Sequence, residues 1–281
     1  MRLIAVLALT ASLMAAPQRI ISTGPGITEI LFALGAGSRV VGVTQYCNYP
    51  PEARRIARIG TWMTPNFEAI LAQRPDLVIV QKTAIHDDKK FRALSLNTIT
   101  VDLSSIADIE TSTLAIGKAI GSEARATQLV ANIRRELETT RKLVADKPQL
   151  RVMFVAGRTP GTLEGVIVAG ARSYLTEVME MAGGRSAFAD LPMAYGKVGH
   201  EQILARDPEI IIDMGEHAEA EGITEAQRKF ELGLWSKYST LSAVKNNRIH
   251  IVASDLYVHP GPRVIELARE FVRLLHPEIH R

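Results

Sequence analysis

Short, mainly apolar segments alternate with segments of helical pattern along most of the chain. The apolar segments are rich in Val and Ile, which predicts strands buried on both faces. They lie at residues 19–22, 40–43, 77–80, 98–101, 151–156, 166–169, 209–213 and 248–253. Because helical patterns lie between several of them, the sequence predicts an α/β fold with parallel sheets covered by helices.

One long helical pattern at residues 122–146 divides the strands into two series. Apolar side chains recur there at helical spacing, Ser122 is a suitable N-cap residue, and Pro148 follows the pattern. A helix of this length spans roughly 37 Å. We therefore expect two Rossmann-like lobes joined by one long α-helix, with a ligand cleft between them. The predicted boundaries are 17–121 for the N-terminal lobe, 122–147 for the bridging helix and 148–281 for the C-terminal lobe.

Two segments of the first lobe recur in the second. FEAILAQRPDLVIV at residues 67–80 matches HEQILARDPEIIID at 200–213, with an offset of 133 residues. TEILFALG at 28–35 matches TEVMEMAG at 176–183 in the same order, with an offset of 148. The sequence therefore predicts a duplicated lobe with approximate two-fold symmetry.

The first repeated segment places one acid in the first turn of a short predicted helix in each lobe. These acids are Glu68 in the N-terminal lobe and Glu201 in the C-terminal lobe. In the N-terminal lobe, a cap and a proline predict that this helix begins within residues 64–68. Two interpretations remain open at this point. A carboxylate near a helix N-terminus stabilises the helix by about 0.3–1 kcal/mol. Two symmetric acids are also suited to a two-fold symmetric partner that carries basic residues.

The N-terminus has the pattern of a secretory signal peptide. A basic start is followed by LIAVLALTASLMAA, which is too short to span a membrane comfortably and ends in small residues. We predict cleavage near Ala15 or Ala16, so that residues 1–16 form the signal peptide. Because no Cys lies near this point, we expect a soluble periplasmic protein and not a lipoprotein.

Composition narrows the function classes. The 281 residues include 33 basic and 30 acidic ones, no basic run and only 5% aromatics, so no nucleic-acid partner is expected. A single cysteine, Cys47, excludes an intramolecular disulfide and favours a packing role. No HExxH, GxSxG or P-loop pattern occurs, so we expect a protein that is not an enzyme and has no cofactor. We also expect a monomer. An exported two-lobed enzyme with an unrecognised site remains the alternative of another class.

The chain resembles the class III solute-binding proteins of ABC importers, which capture cobalamin, ferric siderophores or haem. The resemblance is carried by YPPEA (49–53), GTWMTPNFEAILAQRPDLVI (60–79) and HEQILARDPEIII (200–212), and it is closest to the cobalamin-binding branch. It implies a ligand held between two lobes bridged by one helix. It also implies that Glu68 and Glu201 dock on arginines of a permease dimer, which works with ATPase subunits.

The same resemblance implies a set of ligand-binding positions. In the cobalamin binders, aromatic rings enclose the corrin, and Trp62, Tyr49 and Tyr195 match such positions. Gln81 stands where a further Trp is expected, and Ile167 lies where a Phe is expected. Fewer rings mean less apolar contact with a macrocycle, because each ring buries about 150–250 Å².

Haem and ferric siderophores remain alternative ligands. Haem requires an axial ligand, and five side chains in predicted loops or at strand ends are of the right type: His86, His200, His259, Tyr46 and Tyr257. An anionic siderophore favours basic side chains in the cleft, for which the candidates are Arg158, Lys82 and Arg263.

Overall fold

The protein folds around two separate β-sheets, each formed by one part of the chain. The computed structural model describes residues 16–82, 89–217, 220 and 222–280. The predicted signal peptide, apart from Ala16, therefore lies outside the described residues. The strands of the first sheet are β1 (Ile20–Ser22), β2 (Val40–Val43), β3 (Ala57–Arg58), β4 (Leu77–Gln81) and β5 (Thr98–Val101). They are all parallel and lie in the order β3-β2-β1-β4-β5.

The second sheet is mixed, which corrects the expectation of a purely parallel one. Its strands lie in the order β11-β10-β6-β7-β9, with β8 also paired to β6. They are β6 (Leu150–Gly157), β7 (Ile167–Ala169), β8 (Gly184–Ser186), β9 (Tyr195–Lys197), β10 (Ile210–Asp213) and β11 (Ile249–Ile251). Strand β7 runs antiparallel to both β6 and β9. The nine residues between β6 and β7 are too few for a crossover helix, so β7 returns as a hairpin.

Ten α-helices among the described residues flank the two sheets. They are α1 (Pro25–Ala33), α2 (Phe67–Ala72), α3 (Lys89–Ala93), α4 (Ile106–Ala119), α5 (Glu123–Leu143), α6 (Tyr174–Met181), α7 (His200–Arg206), α8 (Glu225–Trp235), α9 (Ser242–Lys245) and α10 (Val264–Leu275). Short 3₁₀ segments lie at Gly37–Arg39, Pro51–Arg55, Asp255–Tyr257 and Pro277–His280. No helix of the described residues is long and apolar enough to cross a membrane.

Helix α5 leads from the first sheet to the second and packs against α4 of the first lobe and against α6 and α10 of the second. It is 21 residues long and ends at Leu143, a turn earlier than expected, because Val144 leaves the helix and buries its side chain in the core. Ser122 is the N-cap residue, but its side chain forms no capping hydrogen bond. Its ψ of 36° departs from the extended conformation that such a cap requires.

The internal repeat corresponds to equivalent positions in the two sheets. Strand β4 pairs with β1 at Leu77 and Ile20, as β10 pairs with β6 at Ile210 and Val152. The repeated Pro-acid pair precedes β4 and β10. The Asp76 carboxylate accepts hydrogen bonds from the N–H groups of Gln18 and Arg19 at 2.7 and 2.8 Å. The Glu209 carboxylate accepts one from Arg151 N–H at 2.9 Å. In each lobe, the repeated acid therefore accepts hydrogen bonds from backbone N–H groups at the start of the neighbouring strand, β1 or β6.

A single hydrophobic cluster spans both lobes, and two smaller clusters lie within them. The large cluster joins residues of the first sheet, such as Ile20 and Ile79, to Phe154 of the second sheet and Phe271 of α10. Cys47 is fully buried in it beside the Thr28 and Thr44 hydroxyls, and burial raises the pKa of its thiol. The two lobes are therefore held in contact by continuous apolar packing.

Two glutamates that are equivalent in the internal repeat each accept a hydrogen bond from the opposite lobe. Glu29 of α1 accepts a hydrogen bond from Arg263 Nε, just before α10, at 3.0 Å. Glu177 of α6 accepts one from Ile106 N–H, the first residue of α4, at 2.8 Å. Each glutamate thus binds the N-terminal end of the last helix of the opposite lobe. We call Glu29 and Glu177 the interlobe glutamates.

Candidate ligand-binding cleft

A cavity of about 630 Å³ lies between the two lobes. This volume is within the range of roughly 300–1,000 Å³ that is typical of small-molecule sites. The lining residues of the N-terminal half of the chain are Pro25, Gly26, Tyr46, Trp62, Gln81, Leu103 and Ser104. Those of the C-terminal half are Ala156, Ile167, Ser173, Tyr174, Leu175, Ala194, Tyr195, Val258, His259 and Pro260.

Two aromatic rings contribute to the cavity from equivalent positions of the two lobes. Trp62 and Tyr195 are 133 positions apart, which is the offset of the first repeated segment. Trp62 lies five residues before α2 and Tyr195 five residues before α7, the helices that begin the repeated segment in each lobe. Their exposed fractions are similar, 38% and 42%. Trp62 sits in a tight turn in which Thr61 Oγ1 accepts the N–H groups of Met63 and Thr64 at 3.1 and 2.8 Å. The internal repeat therefore relates a ring on each lobe.

Gln81 and Ile167, the two positions that lack a ring, also line the cavity. The backbone N–H of Gln81 donates to Thr23 Oγ1 at 2.9 Å. Its side chain lies against Gly24, where a Cβ atom would be only 2.1 Å from Gln81 Oε1. Ile167 begins β7 and is 40% exposed. Four of the five predicted ligand positions are thus brought together in one cavity.

Tyr49, the fifth predicted position, is not among the lining residues. Its ring is covered by the Arg263 guanidinium, whose central carbon lies 4.3 Å from the ring centroid. Arg263 is held there by Glu29 and by Asp255, which accepts from Nη1 at 3.0 Å. Burial raises the pKa of Glu29, against the opposing hydrogen bond from Arg263. The structure therefore places Tyr49 beside an ion-pair network and not against the cavity.

Of the side chains suggested as axial ligands, Tyr46 and His259 line the cavity. Nδ1 of His259 lies 3.6 Å from Asp255 Oδ2. Burial raises the pKa of Asp255, but hydrogen bonds from His259 and Arg263 outweigh burial and hold it well below its usual range. An ionised carboxylate on one ring nitrogen orients an imidazole so that the other nitrogen can bind a metal.

The remaining axial candidates lie elsewhere. Nε2 of His200 is 2.7 Å from the carbonyl oxygen of Leu163. Tyr257 is buried against aromatic rings, and its hydroxyl donates to Glu270 at 3.2 Å. His86 lies outside the described residues.

The candidate basic residues do not line the cavity. Arg158 is fully buried in ion pairs with Asp213 and Glu231. Lys82 pairs with Asp102 at 3.2 Å, and Arg263 pairs with Asp255 in the network described above. The described lining residues include no Arg or Lys, so the cleft does not carry the basic charge expected for an anionic chelate.

Several lining residues were not predicted from the sequence, including Tyr174 and Ser104. The Tyr174 N–H donates to the Ser104 carbonyl across the lobes at 3.0 Å, and its hydroxyl donates to the Tyr257 carbonyl at 2.8 Å. The second repeat, which begins two residues later at Thr176, offers an indirect signal for this position. Its offset of 148 pairs Tyr174 with Gly26, and both residues line the cavity.

The two acids of the first repeat are exposed, one on each lobe. Glu68 lies in α2, which begins at Phe67, within the predicted residues 64–68, and Asn66 Oδ1 accepts the Ala69 N–H at 3.0 Å and caps the helix. Glu201 lies in α7, where Gln202 accepts the Gly199 N–H at 2.9 Å. Neither carboxylate forms a hydrogen bond or ion pair with the described residues. Both helix ends are capped without them.

Two α/β lobes in contact around a mainly apolar cavity are an arrangement suited to binding a solute. Residues 20–256 match the family model described as periplasmic binding protein, and the chain belongs to this family. Its members bind solutes, which confirms that the protein is not an enzyme.

Relatives with known names are similar over nearly their whole length. The vitamin B12-binding protein of Vibrio cholerae is 28% identical over 268 residues, which are 93% of this chain and 91% of the relative. The crystal structure of the periplasmic vitamin B12-binding protein of Vibrio cholerae has a TM-score of 0.76 at 26% identity and covers 95% and 99% of the two chains. A periplasmic heme-binding protein from Roseiflexus sp. RS-1 has a TM-score of 0.78 at 25% identity and covers 93% and 99%. The two-lobe α/β fold is therefore confirmed.

Proposed function

We propose that the protein captures a metal-chelate macrocycle in the periplasm, with cobalamin or a related corrinoid as the first candidate, and delivers it to an ABC importer. The observation that carries this proposal is the cavity between the lobes with Trp62 and Tyr195 as related rings. A flat macrocycle offers two large apolar faces, and aromatic side chains on opposite lobes are suited to contact them. The names of the relatives support the same ligand class.

Haem is the second candidate, and a specific arrangement favours it. Tyr46 and His259 are both of the residue types that bind haem iron, and both line the cavity. The carboxylate of Asp255 beside His259 is the kind of partner that orients a metal-binding imidazole. A ferric siderophore has less support, because the described lining residues lack basic side chains.

Delivery requires a partner in the membrane. We propose that Glu68 and Glu201 engage arginines on the two subunits of a permease dimer, which is driven by ATPase subunits. Two observations support this docking role. Glu68 and Glu201 are equivalent in the internal repeat, and both are exposed and form no hydrogen bond or ion pair with the described residues. The protein is proposed to act as a monomer, exported by cleavage of residues 1–16 and without a lipid anchor.

Calorimetric titration of residues 17–281 with cyanocobalamin, haemin and ferrichrome tests the ligand. Saturable one-to-one binding of cyanocobalamin, with a Kd of about 1 μM or tighter, is expected. Haemin binding without cyanocobalamin binding, and its loss in His259→Ala, would instead establish the second candidate. Failure of all three ligands to bind the folded protein contradicts the metal-chelate proposal.

Exchange of both acids for lysine tests docking. The double variant Glu68→Lys/Glu201→Lys is expected to abolish uptake of the ligand in cells while the Kd for the ligand is unchanged. The matched control is Glu52→Lys/Glu180→Lys, which reverses two other exposed acids, one in each lobe. Equal loss of uptake in the control contradicts a specific docking role.

A further inference from the structure

The repeated sequence E-x-I-L-A contains more than an acid and a core residue. Its Ile is buried in both lobes, with Ile70 0% and Ile203 2% exposed. Its Leu is exposed in both lobes, with Leu71 43% and Leu204 40% exposed. Core packing therefore explains why the Ile is repeated but does not explain why the Leu is repeated.

The exposed members of the repeat share one helix face. Residues three and four apart lie side by side on a helix, so Leu71 and Ala72 neighbour Glu68 in α2. Leu204 and Ala205 neighbour Glu201 in α7 in the same way. All six residues are exposed. We call these two sets, Glu68-Leu71-Ala72 and Glu201-Leu204-Ala205, the docking faces.

We propose that the docking faces are mixed contact surfaces, in which each Leu enters an apolar pocket beside the cation that binds the Glu. This inference rests on the proposed delivery to a permease dimer and adds the chemistry of its contact sites. The small Ala beside each Leu leaves room for the wall of such a pocket. The partner must present two equivalent sites, each with a basic side chain next to an apolar depression, which is the arrangement of a two-fold symmetric dimer.

The physical basis is the usual composition of binding sites on proteins. Exposed charge pairs alone contribute little, with a typical value of about 0–1 kcal/mol, and they are screened by salt. A leucine enclosed by a partner adds contact that salt does not screen, and the removal of water around the Glu strengthens its ion pair. Docking is therefore expected to survive at salt concentrations that would disrupt an interaction through Glu68 and Glu201 alone.

Photocrosslinking identifies what covers these faces. Benzoylphenylalanine replaces Leu71 or Leu204, and in matched controls it replaces Leu114 or Leu143, which are 40% and 52% exposed on α4 and α5. The variants are incubated with membranes of the source organism and irradiated. Positions 71 and 204 are expected to crosslink to the same polypeptide, with the sequence of an ABC permease, and the controls are not. Crosslinks from 71 and 204 to a second copy of the protein would overturn the proposal.

Binding to the purified importer in nanodiscs then measures the contribution of each Leu. Leu71→Ser and Leu204→Ser are each expected to weaken binding about tenfold, equivalent to about 1.4 kcal/mol, whereas Leu114→Ser leaves it unchanged. If Glu68→Lys/Glu201→Lys abolishes binding but both Ser variants bind like the wild type, the mixed surface is wrong and the docking function stands. If neither set of changes affects binding, the docking function itself is wrong.

Discussion

Trp62 and Tyr195 are large rings that the fold leaves substantially exposed, and both line the cavity in which we propose that the ligand binds. The fold does not require these rings for its core, because the buried clusters contain neither of them. An exposed aromatic side chain on a rigid turn makes contact area available at low conformational cost. The role of these residues is therefore testable without disturbing the core.

Truncation of either ring is expected to weaken ligand binding and leave folding intact. Trp62→Ala and Tyr195→Ala should each cost about 1 kcal/mol or more in binding free energy, because stacking on the macrocycle is lost. The measurement is calorimetric titration with the ligand that binds the wild type. Phe230→Ala is the control, since Phe230 is an aromatic residue 54% exposed outside the cavity. An unchanged Kd in both ring variants would show that the rings do not hold the ligand.

Asp255 makes the stability of the protein depend on pH. Because its pKa is lowered by folding, it contributes stability above its unfolded pKa of 3.8, and this contribution is lost as the pH falls toward its folded pKa. Hydrogen bonds to charged groups contribute about 1.5–3 kcal/mol, so Asp255→Asn should destabilise the protein by that order at pH 7. Urea unfolding at pH 7, 5 and 3 should show the difference from the wild type shrinking below pH 4. A difference that is constant with pH would exclude ionisation of Asp255 as its source.

At the level of helices and strands, the positions of most strands were predictable, but the ends of helices and the directions of strands were less so. Strand positions were predictable, because buried parallel strands are continuous apolar segments, and β2 and β5 begin and end where the sequence indicates. The direction of β7 was not predicted from its own residues, since the length of the preceding loop decides it. The end of α5 was also predicted too late, because burial of Val144 outweighs the helical pattern there.

For the site, too, features encoded in local sequence patterns were predictable, and features set by distant contacts were not. The docking role of Glu68 and Glu201, which the internal repeat suggested, stays a prediction, whereas four of the five ligand positions that the family resemblance implied line the cavity. Tyr49 does not line the cavity, and its ring packs with Arg263, which is 214 positions away in the sequence, so its ligand role stays a prediction. Contacts between such distant residues are not encoded in a local pattern.

Asp76 and Glu209, the repeated acids that accept hydrogen bonds from neighbouring strands, provide a test at the level of helices and strands. Asp76→Ala removes two hydrogen bonds from the start of β1 and should reduce the free energy of unfolding by about 1–3 kcal/mol. The control is Asp146→Ala, which alters an exposed acid in the turn after α5. Urea unfolding measures both variants. Equal stability of the two variants would show that the acid of the repeat has no role in strand pairing.

For the whole molecule, the interlobe glutamates and the shared core limit how far the lobes can separate. Hydrogen bonds cross the boundary between the lobes at two places, from Arg263 to Glu29 and from Ile106 to Glu177. The bridging helix α5 packs on both lobes. Ligand entry is therefore expected to use small movements of packed elements and not a wide hinge opening.

Loss of an interlobe contact should widen the range of lobe positions. Spin labels at Glu52→Cys and Lys229→Cys report the distance between the lobes, while the buried Cys47 is not accessible for labelling. A narrow distance distribution is expected for the otherwise unchanged protein, and a broader one after Glu177→Ala. Identical distributions would assign the rigidity to the apolar core alone.

The duplicated lobe also affects how often an encounter is productive. The cavity is lined by pairs of residues that the two repeat offsets relate, Trp62 with Tyr195 and Gly26 with Tyr174, so both lobes contribute to it from corresponding positions. On a partner with true two-fold symmetry, the protein can bind in either of two orientations that differ by half a turn. The doubled statistical weight comes from the symmetry of the partner, and the duplicated lobe adds that each half of the partner meets a similar docking face in either orientation.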